Sequence, residues 1–188
     1  VPRFDLELAT TLMDQAGYSK GFRLRMIAPN NRYVNDAKIA QAIVIMLAKI
    51  NIEVELMTMP KAQYWQKYDQ GGTDLMMLGW HSDTEDSANF SEFLAMCRDL
   101  DSGYGRYNGG HYCNLEVDRI VSASAQQTDT KKRAEMLQQV EHILYQDAAF
   151  VPLHWQHLAW GSHSGIDIGN VLTVGNIPYL ADLVINQP

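Results

Sequence analysis

The residues best suited to chemistry in this sequence are Gly79-Trp80-His81-Ser82-Asp83, which directly follow the apolar run Leu75-Met76-Met77-Leu78. A continuous apolar run of this length is typical of a strand that is covered on both faces. Because open α/β sheets bind ligands just beyond the carboxyl ends of their strands, the position favours a binding site. Trp80 would offer a flat apolar wall, and Asp83 a carboxylate for an ammonium or hydroxyl group. The structural alternative is that Trp80 covers the end of the sheet and Asp83 caps a turn.

Two other kinds of chemistry are open to these residue types. Asp83, Glu85 and Asp86 could form an acid/base or metal-binding cluster, although a solvated acidic turn is the commoner arrangement. His154 and His157 form an H-x-x-H pair, but they fall in a strand-like segment, where a three-residue step points two side chains to opposite faces. No Gly-x-Ser-x-Gly nucleophile elbow occurs. We therefore predict a protein with no metal, no cofactor and no catalytic residue.

The stretch from 79 to 114 is rich in Gly, Asp, Ser, Asn and Tyr and has no lasting period. A long irregular segment within a compact domain is usually functional or disordered, and its aromatic residues argue against disorder. Those residues would suit a cleft wall that is apolar yet carries hydroxyl groups. A loop that packs on its own side chains is an equal alternative. The aromatic residues are Trp80, Phe90, Phe93, Tyr104, Tyr107 and Tyr112.

The elements that must position this stretch alternate between helix and strand. Apolar spacing predicts a helix over Phe4–Ala16, followed by a strand over Phe22–Ile27. It then predicts a clearer amphipathic helix over 35–50, followed by a strand over 53–58. Tyr64, Trp65 and Tyr68 indicate a shorter helix before the Leu75 run. This order predicts an α/β layered domain with a largely parallel sheet.

After residue 114 the pattern becomes mainly helical. One helix is predicted around Val117–Ser124, and a longer one, capped by Asp129, around Met136–Leu144. Phe150–Trp155 is predicted as a short strand, which Pro152 confines to a sheet edge or bulge. Further short strands are expected between 166 and 185. We interpret all 188 residues as a single domain.

Composition excludes some partners. Acidic residues outnumber basic ones by 22 to 15, a net charge of −7 that has the wrong sign for binding nucleic acid. No apolar run approaches the roughly 20 residues that span a bilayer, so we predict a soluble segment that does not cross a membrane. Val1-Pro2-Arg3, in place of an initiator methionine, is typical of the interior of a longer chain, so the lack of a leader decides nothing.

Two cysteines, Cys97 and Cys113, flank the second half of the irregular stretch. Their spacing is unlike that of a zinc site, which needs closer pairs. Two interpretations remain from the spacing: a disulfide formed in an oxidising compartment, or two free thiols in a reducing one. A disulfide closing a loop of this length would contribute about 3 kcal/mol to the free energy of unfolding.

Several stretches, taken in chain order, carry a family resemblance. They are the pattern Leu-x-x-x-Leu-Met-x-x-Ala-Gly-Tyr ending at Tyr18, Ile39-Ala40-Gln41, Gly79-Trp80 with Asp83, Tyr107-Asn108, Asn114-Leu115-Glu116-Val117-Asp118 and Val151-Pro152-Leu153. Each stretch alone is weak evidence. In this order they resemble the extracellular solute-binding proteins of oligopeptide, dipeptide and nickel importers, known as solute-binding family five.

The resemblance implies one lobe of a type II periplasmic-binding-protein-like fold, with a mixed, mostly parallel sheet flanked by helices. In that family two lobes close over the ligand, and this chain resembles most of the second lobe. Asp83 matches the aspartate that pairs with a peptide's α-ammonium, and Trp80 and His81 match the cleft wall. Tyr107, in the matching Tyr107-Asn108 stretch, is predicted as a further ligand-binding residue. Dipeptide-binding members have a disulfide at the place of Cys97 and Cys113, which favours the bond.

The function implied is capture of a peptide or other small solute in the periplasm or outside the cell, by a monomer that delivers it to ABC permease subunits without catalysis. Asp86-Ser87 stands where the family often has Asp-Pro, and Leu115 where it has Pro. These departures leave room for members that carry nickel, haem or oligosaccharide. The other classes considered are a ligand-sensing domain of a cytoplasmic transcriptional regulator and, least favoured, a hydrolase that uses Asp83, Asp86 or His81.

Overall fold

The structure, a computed structural model, describes residues 3–82, 84, 86–172 and 177–186. The chain divides into two compact units, Val1–Gly79 (unit 1) and Trp80–Pro188 (unit 2). The interpretation of the whole chain as one domain stays a prediction.

Unit 1 alternates helices and strands as the sequence predicts. Its central strand is flanked on both sides by parallel neighbours, in the order β2-β1-β3. Phe22 pairs with Ile52 and Pro29 with Met59, so β1 and β2 match along their whole lengths. The elements are α1 (Leu6–Gln15), β1 (Phe22–Pro29), α2 (Asp36–Ala48), β2 (Ile52–Met59), α3 (Lys61–Gln70) and β3 (Leu75–Met76).

Side-chain alternation along β1 gives the sheet two apolar faces. Met26 and Ala28 pack with Ala40 of α2 on one face, whereas Ile27 packs with Tyr64 and Tyr68 of α3 on the other. Successive side chains of a strand point to opposite faces, so a strand covered on both sides must be apolar at every position. The burial of residues 26–29 follows this rule and confirms the α/β layering.

Unit 2 is mainly helical in its first half. A core of Val117, Ile120 and Val121 from α5 packs against Val140 and Leu144 of α6, together with Ala95 and Met96. The side chains of Asn114 and Asp129 cap the two helices by accepting backbone hydrogen bonds, as expected of these residue types. The elements are α4 (Ser87–Phe90), a π-helical turn (Ser91–Ala95), α5 (Leu115–Ser124), α6 (Thr130–Gln146), β4 (Ile166–Asp167), a 3-10 turn (Leu180–Asp182) and β5 (Val184–Ile185).

Three expectations need correction. Phe150–Trp155 is not a strand: its side chains are exposed, Trp155 by 92%, and no described strand pairs with it. The strand predicted over Leu75–Leu78 covers only Leu75–Met76. The stretch from 79 to 114 is not wholly irregular, because α4 and the π-helical turn lie within it. None of the described helices has the length and apolarity to cross a bilayer.

The Tyr64 side chain offers a test of how α3 holds the sheet. It is 1% exposed, and its hydroxyl donates to the carbonyl oxygen of Met77 at 2.5 Å. Tyr64→Phe keeps the packing but leaves that carbonyl without this donor, so we expect the free energy of unfolding to fall by about 1 kcal/mol. Urea unfolding of the intact protein measures the loss. Tyr145→Phe, at a side chain that is 63% exposed, is the matched control and should change nothing. Equal midpoints for both variants would contradict the role of the hydroxyl.

Candidate functional site

The segment that follows β3 is fixed by two tyrosines of unit 1. The hydroxyl of Tyr33 accepts a hydrogen bond from the backbone N–H of Gly79 at 2.9 Å and lies 3.3 Å from the Gly79 carbonyl oxygen, to which it donates. Tyr64 holds the Met77 carbonyl, and the Met77 N–H donates to Ile27 of β1. A Cβ atom at Gly79 would lie 2.7 Å from the Tyr33 ring, so the close contact favours glycine.

The loop that carries Tyr33 is itself held by a buried carboxylate. Asp36, which is 3% exposed, accepts hydrogen bonds from the backbone N–H groups of Arg32, Tyr33 and Ala37. Burial raises the pKa of Asp36, but these three hydrogen bonds outweigh it and lower the pKa below its usual value. The ionised carboxylate of Asp36 therefore stabilises the loop that carries Tyr33.

Trp80 lies in a group of three aromatic rings in unit 2. Its ring centroid is 5.7 Å from that of Phe93 and 5.5 Å from that of Tyr107, and the last two are 6.2 Å apart. We call Trp80, Phe93 and Tyr107 the aromatic cluster. The indole Nε1 of Trp80 donates to Asn89 Oδ1 at 3.0 Å, which fixes the ring's orientation. All three side chains are half-buried, so each keeps some surface in contact with solvent.

The position of Tyr107 is set by main-chain bonds to the π-helical turn. The N–H of Tyr107 donates to Phe93 O at 2.9 Å, and that of Gly105 donates to Glu92 O at 2.7 Å. Gly105 has a φ of +61°, and a Cβ there would lie 2.5 Å from the carbonyl oxygen of Met96. Only glycine fits at this position, because a side chain would meet backbone that cannot move aside.

A disulfide joins Cys97 and Cys113 and closes the loop that carries Tyr107. The prediction of this bond is confirmed. The backbone N–H of Cys97 also donates to Asp118 Oδ1 at 3.0 Å, which ties the start of the loop to α5. Trp80 and Tyr107 are distant from each other in the sequence, and the closed loop brings their side chains together.

The structure describes only part of the turn that follows Trp80. His81 is exposed. Ser82 Oγ donates to the carbonyl oxygen of Asp86 at 3.0 Å and accepts from its N–H at 3.2 Å. Asp83 and Glu85 lie outside the described residues, so the role of Asp83 as the ligand's carboxylate stays a prediction.

Asp86 has a structural partner that the sequence did not reveal. Its carboxylate caps α4 through the N–H of Ala88 at 2.8 Å and forms a two-bond ion pair with Arg133 of α6, with distances of 2.5 and 3.2 Å. The hydrogen bond from Arg133 lowers the pKa of Asp86 below its usual value, with Ala88 contributing. A carboxylate engaged in this way is poorly suited to act as a general base. No short-range pattern links residues 86 and 133.

Shallow concave surfaces of about 220 and 380 Å³ flank this ion pair. Both include Asp86 and Arg133 in their lining, the smaller one with Asn89 and Glu92 and the larger one with Gln138 and Glu141. Because the guanidinium is already paired with Asp86 and its Nε donates to Ser124 O, the ion pair connects α4 to the α5–α6 helices. Among the described residues, no group of three His, Cys, Asp or Glu side chains could hold a metal ion.

A second polar network stands at the other end of the disulfide loop. The hydroxyl of Tyr112 donates to Asp147 Oδ2 at 2.6 Å, and Asn114 Nδ2 donates to the same oxygen at 2.9 Å. Burial and the bond to Asp147 raise the pKa of Tyr112 to about 12. The same two donors lower the pKa of Asp147. The network joins the residues on both sides of Cys113 to the end of α6.

The sequence profile described as "Bacterial extracellular solute-binding proteins, family 5 Middle" matches residues 1–102. The chain belongs to this family. The resemblance inferred from the motifs is therefore confirmed, and the family is one of binding proteins.

The similar proteins are much longer than this chain. It is 29% identical over 153 residues to "Di/tripeptide-binding protein 3" of Pseudomonas aeruginosa, covering 80% of this chain and 28% of that protein. The solved structure of the periplasmic binding protein DppA from Helicobacter pylori in complex with the peptide STSA matches with 28% identity and a TM-score of 0.71, over 80% of this chain and 29% of that one. The chain thus spans less than a third of the length of these two relatives.

The fold likeness extends further along the chain. The dipeptide-binding protein of Pseudoalteromonas sp. SM9913, solved in complex with Met-Leu, matches 99% of this chain and 36% of that one, with a TM-score of 0.78 and 24% identity. The predicted type II periplasmic-binding-protein fold is confirmed. In this solute-binding family member, the predicted site residues Trp80 and Tyr107 lie next to each other. The ligand-binding roles of Trp80, His81, Asp83 and Tyr107 all stay predictions.

The ion pair of Asp86 predicts a specific pH dependence. Asp86→Asn keeps the helix cap, because Asn caps as well as Asp, but weakens the bond to Arg133, so we expect a loss of about 1 kcal/mol in unfolding free energy at pH 7. A lowered folded-state pKa stabilises the protein above the unfolded-state value, about 3.9 for Asp, and the effect is lost as the pH falls through the folded-state pKa. The difference between wild type and variant should therefore vanish in that acid range.

Urea unfolding at several pH values measures this difference. Asp101→Asn, at an exposed carboxylate of the same unit, provides the matched control and should behave like wild type at pH 7. A difference between Asp86→Asn and wild type that stayed constant down to pH 2 would rule out the ion pair as its source.

Proposed function

We propose that this chain is the second ligand-binding lobe of a larger, two-lobed solute-binding protein that captures a peptide. The intact protein acts as a monomer in the periplasm or outside the cell and delivers its ligand to the transmembrane subunits of an ABC importer. The observation that carries the proposal is the aromatic cluster, in which Trp80 follows the sheet strand and the disulfide-closed loop brings Tyr107 to 5.5 Å from it.

The cluster has the properties of a ligand wall. Aromatic rings supply large contact area with little conformational freedom to lose, and the hydroxyl of Tyr107 adds a polar group. The rings are held by main-chain bonds and by Asn89, so the surface exists before a ligand arrives. A surface already in its binding shape loses less entropy on association than a flexible one.

Asp83 supplies the charged contact in this proposal. It stands three residues after Trp80 in the sequence and matches the family position that pairs with a peptide's α-ammonium. A carboxylate and an ammonium group form a charge-assisted hydrogen bond, which becomes stronger when closure of the two lobes removes water. The peptide-binding names of the relatives from Pseudomonas aeruginosa and Helicobacter pylori support this ligand class.

The disulfide supports the proposed location. Disulfides persist in oxidising compartments such as the bacterial periplasm and are rare in the cytosol. The bond between Cys97 and Cys113 therefore favours a transport receptor over the alternative of a cytoplasmic regulator's ligand-sensing domain. It does not discriminate among ligands, so nickel, haem and oligosaccharide stay as alternative cargoes of the same transport function.

The proposed function involves no chemical step. Asp86, a residue that a hydrolase could have used, is engaged by Arg133 and the α4 N-terminus. The polar groups around the loop, Tyr112 and Asp147, are bonded to each other. Each of these groups has a structural role that accounts for it, and a binding function requires no chemical step from any of them.

The charge pairing at Asp83 is tested by removing the carboxylate. In the intact protein, Asp83→Ala should weaken binding of Met-Leu or Ser-Thr-Ser-Ala by about 10- to 100-fold, because a charge-assisted bond of about 1.5–3 kcal/mol is lost. The N-acetylated forms of both peptides lack the ammonium group, so their affinities should change little. Isothermal titration calorimetry measures all four affinities.

Asp101→Ala is the matched control, since it removes the same charge from an exposed position in the same unit. Its affinities should equal those of the wild type. Equal losses for the free and acetylated peptides in Asp83→Ala would reject the charge pairing. Failure of the wild type to bind either free peptide would reject the choice of peptide as ligand and favour the other cargoes.

A further inference from the structure

The side chain of Asn108 is buried at the base of the disulfide loop. It is 3% exposed, and its Nδ2 donates to the carbonyl oxygens of Met96 at 3.0 Å and Tyr112 at 2.6 Å. Its Oδ1 accepts from the N–H of Tyr112 at 3.1 Å. A side-chain amide has two N–H donors and one carbonyl acceptor, and both kinds of group are used here. The three bonds fit this amide and no charged side chain.

The two residues that Asn108 holds directly precede the two cysteines. Met96 is followed by Cys97, and Tyr112 by Cys113. The Asn108 amide therefore joins nearly the same two points of the chain that the disulfide joins, through hydrogen bonds instead of a covalent bond. The loop has two independent closures, one next to the other.

Asn108 is also next to the tyrosine of the aromatic cluster. Its backbone N–H donates to Gly105 O at 2.9 Å, and Tyr107, between these two residues, donates to Phe93 O. The anchored Asn108 side chain thus restrains the backbone that follows Tyr107. The carbonyl of Phe93, in the π-helical turn, restrains the backbone N–H of Tyr107 itself. Loss of the Asn108 bonds would free the Tyr107 ring to leave its place beside Trp80.

We propose that Asn108 is a positioning residue, which holds Tyr107 against Trp80 and keeps the loop in its binding shape even when the disulfide is open. The part about ligand affinity rests on the proposed function. The part about the position of the rings does not, because it follows from the contacts within unit 2 alone.

An aspartate at position 108 tests the proposal with almost no change in volume. A carboxylate has no donor at neutral pH, so its oxygens would face the carbonyl oxygens of Met96 and Tyr112 at hydrogen-bond distance and repel them. Asn170→Asp adds the same charge at an exposed position of unit 2 and is the matched control. A cysteine-free variant with Cys97→Ser and Cys113→Ser opens the covalent closure.

The experiment uses the full-length protein with Asn108→Asp, the cysteine-free change, and both together. The first readout is the ¹⁹F resonance of 5-fluorotryptophan at Trp80, assigned by its loss in Trp80→Phe, which reports whether Tyr107 still lies beside the indole. The second is the affinity for Met-Leu and Ser-Thr-Ser-Ala. A residue that only stabilised the fold would lower the melting temperature and leave both readouts unchanged in the folded protein.

We expect Asn108→Asp to shift the Trp80 resonance and to weaken peptide binding about tenfold, with Asn170→Asp unchanged. The cysteine-free protein should keep the wild-type resonance and an affinity within about threefold, because Asn108 still closes the loop. The combined variant should lose more than the product of the two separate losses, as expected of groups that restrain the same segment.

Three results would overturn the proposal. The first is an Asn108→Asp protein with the resonance and affinity of its control. The second is a cysteine-free protein that has lost the wild-type resonance, which also decides the matter should Asn108→Asp fail to fold. The third is a combined variant whose losses simply multiply. A wild type that binds neither peptide would instead reject the proposed ligand, and the Trp80 resonance would still judge the role of Asn108.

Discussion

Closure of the loop between Cys97 and Cys113, by the disulfide and by the side-chain hydrogen bonds of Asn108, is the constraint on which the candidate site depends. Trp80 and Tyr107 are far apart in the sequence, and a flexible loop would lose substantial entropy in bringing their rings together. The disulfide removes part of that cost from folding, and the main-chain bonds to the π-helical turn fix where the tyrosine lies. The aromatic cluster is therefore a product of loop geometry more than of ring attraction, which contributes only about 0.5–1.5 kcal/mol per pair.

The segment at the end of β3 is also held in place by specific contacts, here by the hydroxyl groups of tyrosine side chains. Regular strand pairing there extends only over Leu75 and Met76, and beyond it the bond from the Met77 N–H to Ile27 still joins the segment to β1. Side chains add further hydrogen bonds: the hydroxyl of Tyr64 bonds to the backbone of Met77, and that of Tyr33 to the backbone of Gly79. Backbone polar groups that leave a ladder need such partners when they are buried, and tyrosine supplies a long reach with few rotatable bonds.

Local patterns predicted the parts of this fold that local physics determines. The apolar period of residues 35–50, the alternation along 53–58 and the cap at Asp129 each appear in the structure. The strand prediction for Phe150–Trp155 was wrong. The composition of this segment favours a strand, but a strand forms only where another strand pairs with it, and no described strand pairs with this segment. The pairing of Asp86 with Arg133 and the three bonds of Asn108 depend on tertiary folding, so no spacing rule could have found them.

The proposed binding function also accounts for the distribution of polar groups in unit 2. Catalysis needs at least one group whose proton or lone pair is available, and a strongly perturbed pKa in a cleft often marks such a group. Here hydrogen bonds lower the pKa values of Asp86 and Asp147, whereas burial, together with the bond to Asp147, raises the pKa of Tyr112. The bonds of these groups tie α4 and the disulfide loop to α5 and α6. These bonds hold the frame, which leaves the aromatic surface and the turn after Trp80 as the part of this unit that is suited to a ligand. The proposed receptor function fits this division between a rigid polar frame and a pre-formed apolar wall.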